Sequence, residues 1–294
     1  MNTTSNSVRH LSDAGRCLNC DAPLHGGFCA ECGQRAVPAN PTVRELAGDA
    51  WQEFTGYDGR IMSTIRGLIR PGFLTRQYVD GRRAHYLPPV RIYLIVSVLY
   101  FVIAAAAPED ARTAQSTMSG PGGMRIGITN EGRAMGRSDE ERAELLENAD
   151  SAPWIIRPMI RSVAEDPQAF RSRMFTIMPR VFFGMLPVFA GVVALFYRAC
   201  HFPTALVFAL HLHAFAFIAF AIAETSKFTG SPRLADAVSG VMAVIFGIYA
   251  LRAFRNVFGG RWPVTIAKSA AIGFVYLLAA LPAFVIIMLW ASFT

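Results

Sequence analysis

Five stretches of the chain are almost wholly apolar: 90–107, 178–198, 203–223, 235–251 and 269–291. Each is close to the ~20 residues an α-helix needs to cross a hydrocarbon core of ~30 Å. The third, FPTALVFALHLHAFAFIAFAIA, and the fifth hold no acid, lysine or arginine. The fourth is the shortest, bounded by Asp236 and Arg252. Arg91 and Arg180 fall near span ends, where long side chains can reach headgroups. The pattern predicts an all-α polytopic membrane protein with about five transmembrane helices.

Shorter amphipathic patterns precede the first span, over 41–89. In PTVRELAGDAWQEFTG, Thr42 and Glu45 have the form of a capping box. Val43, Leu46, Ala47, Ala50, Trp51 and Phe54 then recur at helical spacing. In GRIMSTIRGLIRPG, Ile61, Ile65, Leu68 and Ile69 share a face, Arg66 and Arg70 lie off it, and Pro71-Gly72 ends the helix. Both segments are predicted to lie at the membrane interface. Residues 1–16 are polar and predicted to be a disordered lead. Residues 108–177 form one long polar connection. Its first part is rich in small and turn-forming residues, and Ser138 with Glu141 marks a short acidic helix. Asp166-Pro167 marks a further helix start leading into the second span. The sequence shows no internal repeat.

Composition agrees with a membrane protein. Hydrophobic residues make up 53% of 294, and charged residues only 17%. The net charge of +7 sits beside the apolar segments, as expected for lipid headgroups and topology rather than for a nucleic-acid-reading face; no nucleic-acid partner is expected. From 60 to 91 there are seven arginines and one acid, Asp80, while Arg252, Arg255, Arg261 and Lys268 follow the fourth span without an acid. Residues 108–170 hold seven arginines and eleven acids. With basic loops inside, the N-terminus is cytoplasmic and the C-terminus extracytoplasmic in a bacterial inner membrane. The opening residues lack the apolar core of a cleavable signal, in keeping with that orientation. Arg171 and Arg173 are the wrong sign for the outer face.

Residues 17–36 carry different chemistry. Cys17-x2-Cys20-x8-Cys29-x2-Cys32 can supply two tight knuckles whose sulfurs surround a zinc ion at about 2.3 Å. Gly33 allows a positive φ after the last cysteine, and Gly26-Gly27 permits the reversal between knuckles. Disulfides are disfavoured in a reducing compartment. A redox Cys-x-x-Cys usually stands singly beside a βαβ pattern. An iron–sulfur cluster is open to the same ligands. A structural zinc ribbon is the expectation. Four thiolates close the coordination sphere and leave no position for a reacting water, so the ion would fold a segment with almost no core of its own.

The chain resembles a family of bacterial multi-span membrane proteins of unassigned function that open with a Cys-x-x-Cys…Cys-x-x-Cys-Gly-Gln ribbon. The matching residues are Cys17, Cys20, Cys29, Cys32, Gly33 and Gln34, followed by Pro71, Gly72, Tyr78, Gly81, Arg82, Arg83, Tyr86 and Pro88. The likeness is strongest over 17–100 and implies architecture without activity.

Three further features carry chemistry. The collar PGFLTRQYVDGRRAHYLPPVR can anchor to anionic headgroups, and Arg82 and Arg83 could instead fork onto an oxyanion or headgroup. His211 and His213 lie inside the third span, where ionisable groups are costly and functional by default. Two apart on a helix, they point about 200° from one another and cannot share a metal. Each is either a hydrogen-bonding link between helices or a polar site. Glu224 either flanks such a site or ends the span. Cys200 is a lone thiol beside Arg198 and His201. No phosphate loop, His-Glu-x-x-His, Gly-x-Ser-x-Gly or paired carboxylates in a span indicate an enzyme, and no catalytic residue is assigned. The expected role is a non-enzymatic module that binds a cytoplasmic protein partner or assembles a membrane complex. The alternative is a transporter or lipid-handling protein with its site near His211 or His213.

Overall fold

The computed structural model describes residues 15–36, 42, 60–107, 118–119, 125–126, 146–147, 152–154 and 157–293. The helix expected from Thr42, the acidic helix expected from Ser138 and the polar lead before residue 15 lie outside them. Among the described residues the fold is α-helical. In chain order it comprises α1 (Ile61–Leu68), α2 (Phe73–Val79), α3 (Pro89–Ala106), α4 (Arg157–Glu165), α5 (Pro167–Phe196), α6 (Phe202–Ser226), α7 (Pro232–Phe258) and α8 (Trp262–Phe293). A two-residue antiparallel pair joins β1 (Met118–Ser119) to β2 (Arg125–Ile126). Helices α3, α5, α6, α7 and α8 are each long and apolar enough to cross a membrane.

Local chemistry sets where these helices begin. All five carry proline at their first or second residue: Pro89, Pro167, Pro203, Pro232 and Pro263. Proline costs nothing there, because the N–H it lacks has no partner within the helix. At α5, Asp166 Oδ1 accepts the Ala169 N–H at 2.9 Å, which caps the helix. The apolar run at 178–198 is therefore the later part of a helix that starts at Pro167. Arg173 lies before that run, and its guanidinium donates to the Ala291 carbonyl at 3.4 Å. A basic residue at the end of α8 is favourable whatever the loop charge.

The chain divides into two compact units, and each of the five long helices contributes a portion to both. Among the described residues one unit holds 15–36, 60–97, 186–218 and 244–276. At its centre, α6 is buried on all sides: Ala205, Val207, Phe208, Ala209 and Ala214 are at most 1% exposed. The alanines let neighbouring backbones approach closely. The Phe215 ring stacks on Tyr249 of α7 at 3.6 Å, and Phe217 meets the edge of Tyr93 of α3 at 5.6 Å. Among the described residues the other unit holds 98–107, 157–185, 219–243 and 277–293. Its core joins Phe170 and Ile177 of α5 to Ile287 and Ala291 of α8. Glu224 pairs with Lys227 there at 3.0 Å, closing the end of α6.

Large apolar side chains remain exposed along the long helices, among them Val241, Val244, Ile245 and Ile248 of α7 and Phe274, Leu277, Leu278 and Leu281 of α8. Soluble monomers rarely present contiguous patches beyond a few hundred Å². Acyl chains cover such a surface without cost. The fold is that of a multi-pass membrane protein.

Candidate metal centre

The four N-terminal cysteines converge on one point. Cys17 Sγ lies 3.6 Å from Cys32 Sγ, Cys20 Sγ lies 3.5 Å from Cys29 Sγ, and all four sulfurs fall within 4.8 Å of one another. Sulfurs at the corners of a tetrahedron with metal–sulfur bonds of about 2.3 Å stand about 3.8 Å apart. The observed spacing fits that geometry, so the quartet could hold a metal ion.

A twelve-residue repeat builds the centre. Cys17 N–H donates to Ala22 O and Cys29 N–H to Gln34 O, both at 2.8 Å; the Leu24→Gly15 bond likewise recurs as Ala36→Gly27. Arg16 bridges Pro23 as Phe28 bridges Arg35. The residue after each second cysteine takes a left-handed backbone, Asp21 at φ 63° and Gly33 at φ 69°. At Gly33 this conformation is free of strain. Asp21 is held in it by Arg16, which reaches both its carbonyl at 3.0 Å and its carboxylate at 3.1 Å.

Electrostatics at the sulfurs also suits a cation. The backbone N–H of Cys32, with that of Glu31, holds the Cys29 thiol down at about 7. The Ala22 N–H favours a thiolate at Cys20, yet burial and the three neighbouring sulfurs outweigh it and raise that thiol to about 12. Burial raises Cys32 as well. Four sulfurs this close cannot all ionise without a positive charge among them.

Where the first knuckle has Ala22, the second has Gln34, and this side chain clamps the centre to the collar. Its Nε2 donates to Gly81 O at 2.7 Å, and its Oε1 accepts the N–H groups of Arg83 and Ala84, each at 2.9 Å. Gly81 has φ 80°, and a Cβ there would come within 2.5 Å of Leu18. Only glycine allows the knuckle to seat this closely.

The collar is in turn fastened to the long helices. The Thr64 hydroxyl accepts the Leu87 N–H at 2.9 Å, Tyr249 of α7 donates to Leu68 O at 2.8 Å, and Asn256 donates to Pro71 O at 3.0 Å. Arg83 turns back on α2: its Nε donates to Tyr78 O at 3.1 Å and its guanidinium covers the Tyr78 ring at 4.2 Å. Arg82 stands exposed. The two guanidinium groups thus have different surroundings.

His211 and His213 face different helices. His211 is 5% exposed, and its Nδ1 lies 3.0 Å from the Thr75 hydroxyl of α2. The void beside it amounts to about 10 Å³, near the least that holds one water. His213 Nδ1 lies 2.8 Å from the Ala209 carbonyl. A carbonyl only accepts, so Nδ1 carries the proton, while Nε2 lies 3.2 Å from the Tyr276 hydroxyl. Phe189 packs against both His213 and Tyr276.

The sequence pattern did not disclose Gln34 as a clamp, nor Thr75 and Tyr276 as histidine partners. The twelve-residue register was the available signal for Gln34, since it sets a long amide where its counterpart is alanine. Nothing local marks Thr75, which lies 136 residues from His211.

A family model described as "Protein of unknown function (DUF3667)" matches residues 58–101. That stretch takes in α1, α2, the collar and most of α3; its Gly81, Arg83 and Ala84 bond Gln34 of the cysteine centre, and Thr75 of α2 meets His211 of α6. The match covers well under half of the chain. No curated protein and no solved structure matches the chain.

Proposed function

We propose that this chain is a non-enzymatic module of the bacterial inner membrane that presents a structural zinc ribbon, facing the cytoplasm, as a fixed docking head for a protein partner. The observation that carries this reading is the Gln34 clamp. A ribbon tied by three hydrogen bonds to the collar keeps one orientation relative to the helices below it, which suits assembly better than a loose tether would. Zinc is favoured by the all-thiolate donor set and tetrahedral spacing. Between the knuckles Phe28 is 68% exposed, and an exposed aromatic is the kind of anchor that interfaces use. The arginine distribution supports the cytoplasmic orientation.

The surroundings of the histidines weigh against a transport site near His211 or His213. Both imidazoles are bonded to neighbours, and the space at His211 is too small for a solute.

The test is affinity capture from mild detergent with wild type, Phe28→Ala, and a Cys29→Ser/Cys32→Ser double variant. A docking head loses the same specific partner in both variants, while Phe28→Ala keeps its metal. Retention of all partners in both would reduce the ribbon to a local staple.

A further inference from the structure

A cleft of about 610 Å³ opens beside the turn at 197–201, against the end of α7 and the start of α8. Its charged lining is wholly basic: Arg198 and Lys268, with His201 beside them. Lys268 stands in the second turn of α8, within a membrane-spanning helix. Its ammonium donates to the Phe196 carbonyl at 3.0 Å and lies 4.5 Å from the Tyr197 ring centre. Both partners are neutral, so no carboxylate offsets this charge among the described residues. The Tyr197 hydroxyl is buried and has no hydrogen-bond partner among the described residues. Helix α6 also begins at the cleft, with Thr204 in its first turn, and the start of a helix favours negative charge. Phe196, Val257 and Phe258 supply apolar walls.

We propose that this cleft binds the phosphate oxyanion of a net-anionic amphiphile, with Lys268 and Arg198 on the phosphate and the apolar portion along Phe196, Val257 and Phe258; the wholly basic lining disfavours a headgroup that also carries a cation. The volume falls in the range of ligand sites, ~300–1,000 Å³, and far exceeds what inorganic phosphate fills. The same oxyanion chemistry can come from a membrane lipid or from free phosphate. The site is separate from the cysteine centre and from the histidines, and does not depend on the docking role.

Cys200 lines the cleft and serves as the reporter. The full chain, metal-loaded and in mild detergent, is labelled with a maleimide in the presence of phosphatidylglycerol, phosphatidic acid, phosphatidylcholine or inorganic phosphate; a Cys200→Ser control gives the background. Anionic lipid is expected to slow labelling at several-fold lower concentration than phosphatidylcholine. In Lys268→Met/Arg198→Gln the concentration giving half protection should rise about tenfold or more, as loss of charge-assisted contacts implies, while Lys268→Arg keeps protection. Protection by inorganic phosphate with none by the anionic lipids would assign the oxyanion to the free ion and overturn the amphiphile. Equal protection by phosphatidylcholine and the anionic lipids in wild type would overturn the proposal, a result that does not depend on any variant folding. So would protection that survives unchanged in the double variant.

Discussion

Gln34 satisfies three backbone groups at once, those of Gly81, Arg83 and Ala84. Truncating it strands a carbonyl and two N–H groups at a buried contact. Gln34→Ala should therefore weaken docking of the ribbon by about 2–3 kcal/mol, seen as faster hydrogen exchange at 81–84 with the metal still bound. Thr75→Val keeps shape and removes the hydroxyl from His211. A hydrogen bond between helices in a membrane is worth about 1 kcal/mol, so a small drop in thermal stability in detergent is expected, with no change in metal content. A drop of several kcal/mol would mean that the imidazole organises more than one contact.

At the level of elements, the long helices were legible in the sequence, because length and unbroken apolarity are the two properties a bilayer demands. Asp166-Pro167 also marked its helix start correctly, since a cap acts within one turn. The cysteine quartet was readable from spacing alone. Two features were not. Helical spacing puts Ile61, Ile65, Leu68 and Ile69 of α1 on one face, yet Leu68 is buried with Thr64 and Gly67, whereas Ile61, Met62, Ile65 and Ile69 are exposed. Periodicity identifies an apolar stripe without saying whether protein or lipid covers it. The twelve-residue repeat is hidden in the sequence because its halves agree in hydrogen bonding more than in side chains. Its close seat on the collar makes a prediction: Gly81→Ala must hold alanine at φ 80° and displace Leu18. The backbone strain alone is roughly 1–2 kcal/mol, so proteolysis between ribbon and collar should accelerate.

At the scale of the molecule, Gln34 of the ribbon bonds Arg83 of the collar, Arg83 bonds Tyr78 of α2, and Thr75 on the same helix meets His211 of α6. Removing the ion is expected to unfold the ribbon, because a segment this short has few apolar contacts of its own. Acid acts in the same direction. Protons and metal compete for the same thiolates, so affinity is greatest at neutral and alkaline pH and is lost as pH falls through the range in which Cys29, held at about 7 without metal, takes up its proton. A chromogenic chelator should capture the ion progressively faster from pH 8 towards pH 5. Elemental analysis of the purified full chain, with the redox state of its thiols read by mass spectrometry, bears on all of this at once. One zinc per chain, absent from Cys29→Ser/Cys32→Ser, is the expected result. A metal-free wild-type chain whose four N-terminal cysteines are oxidised in pairs would contradict it.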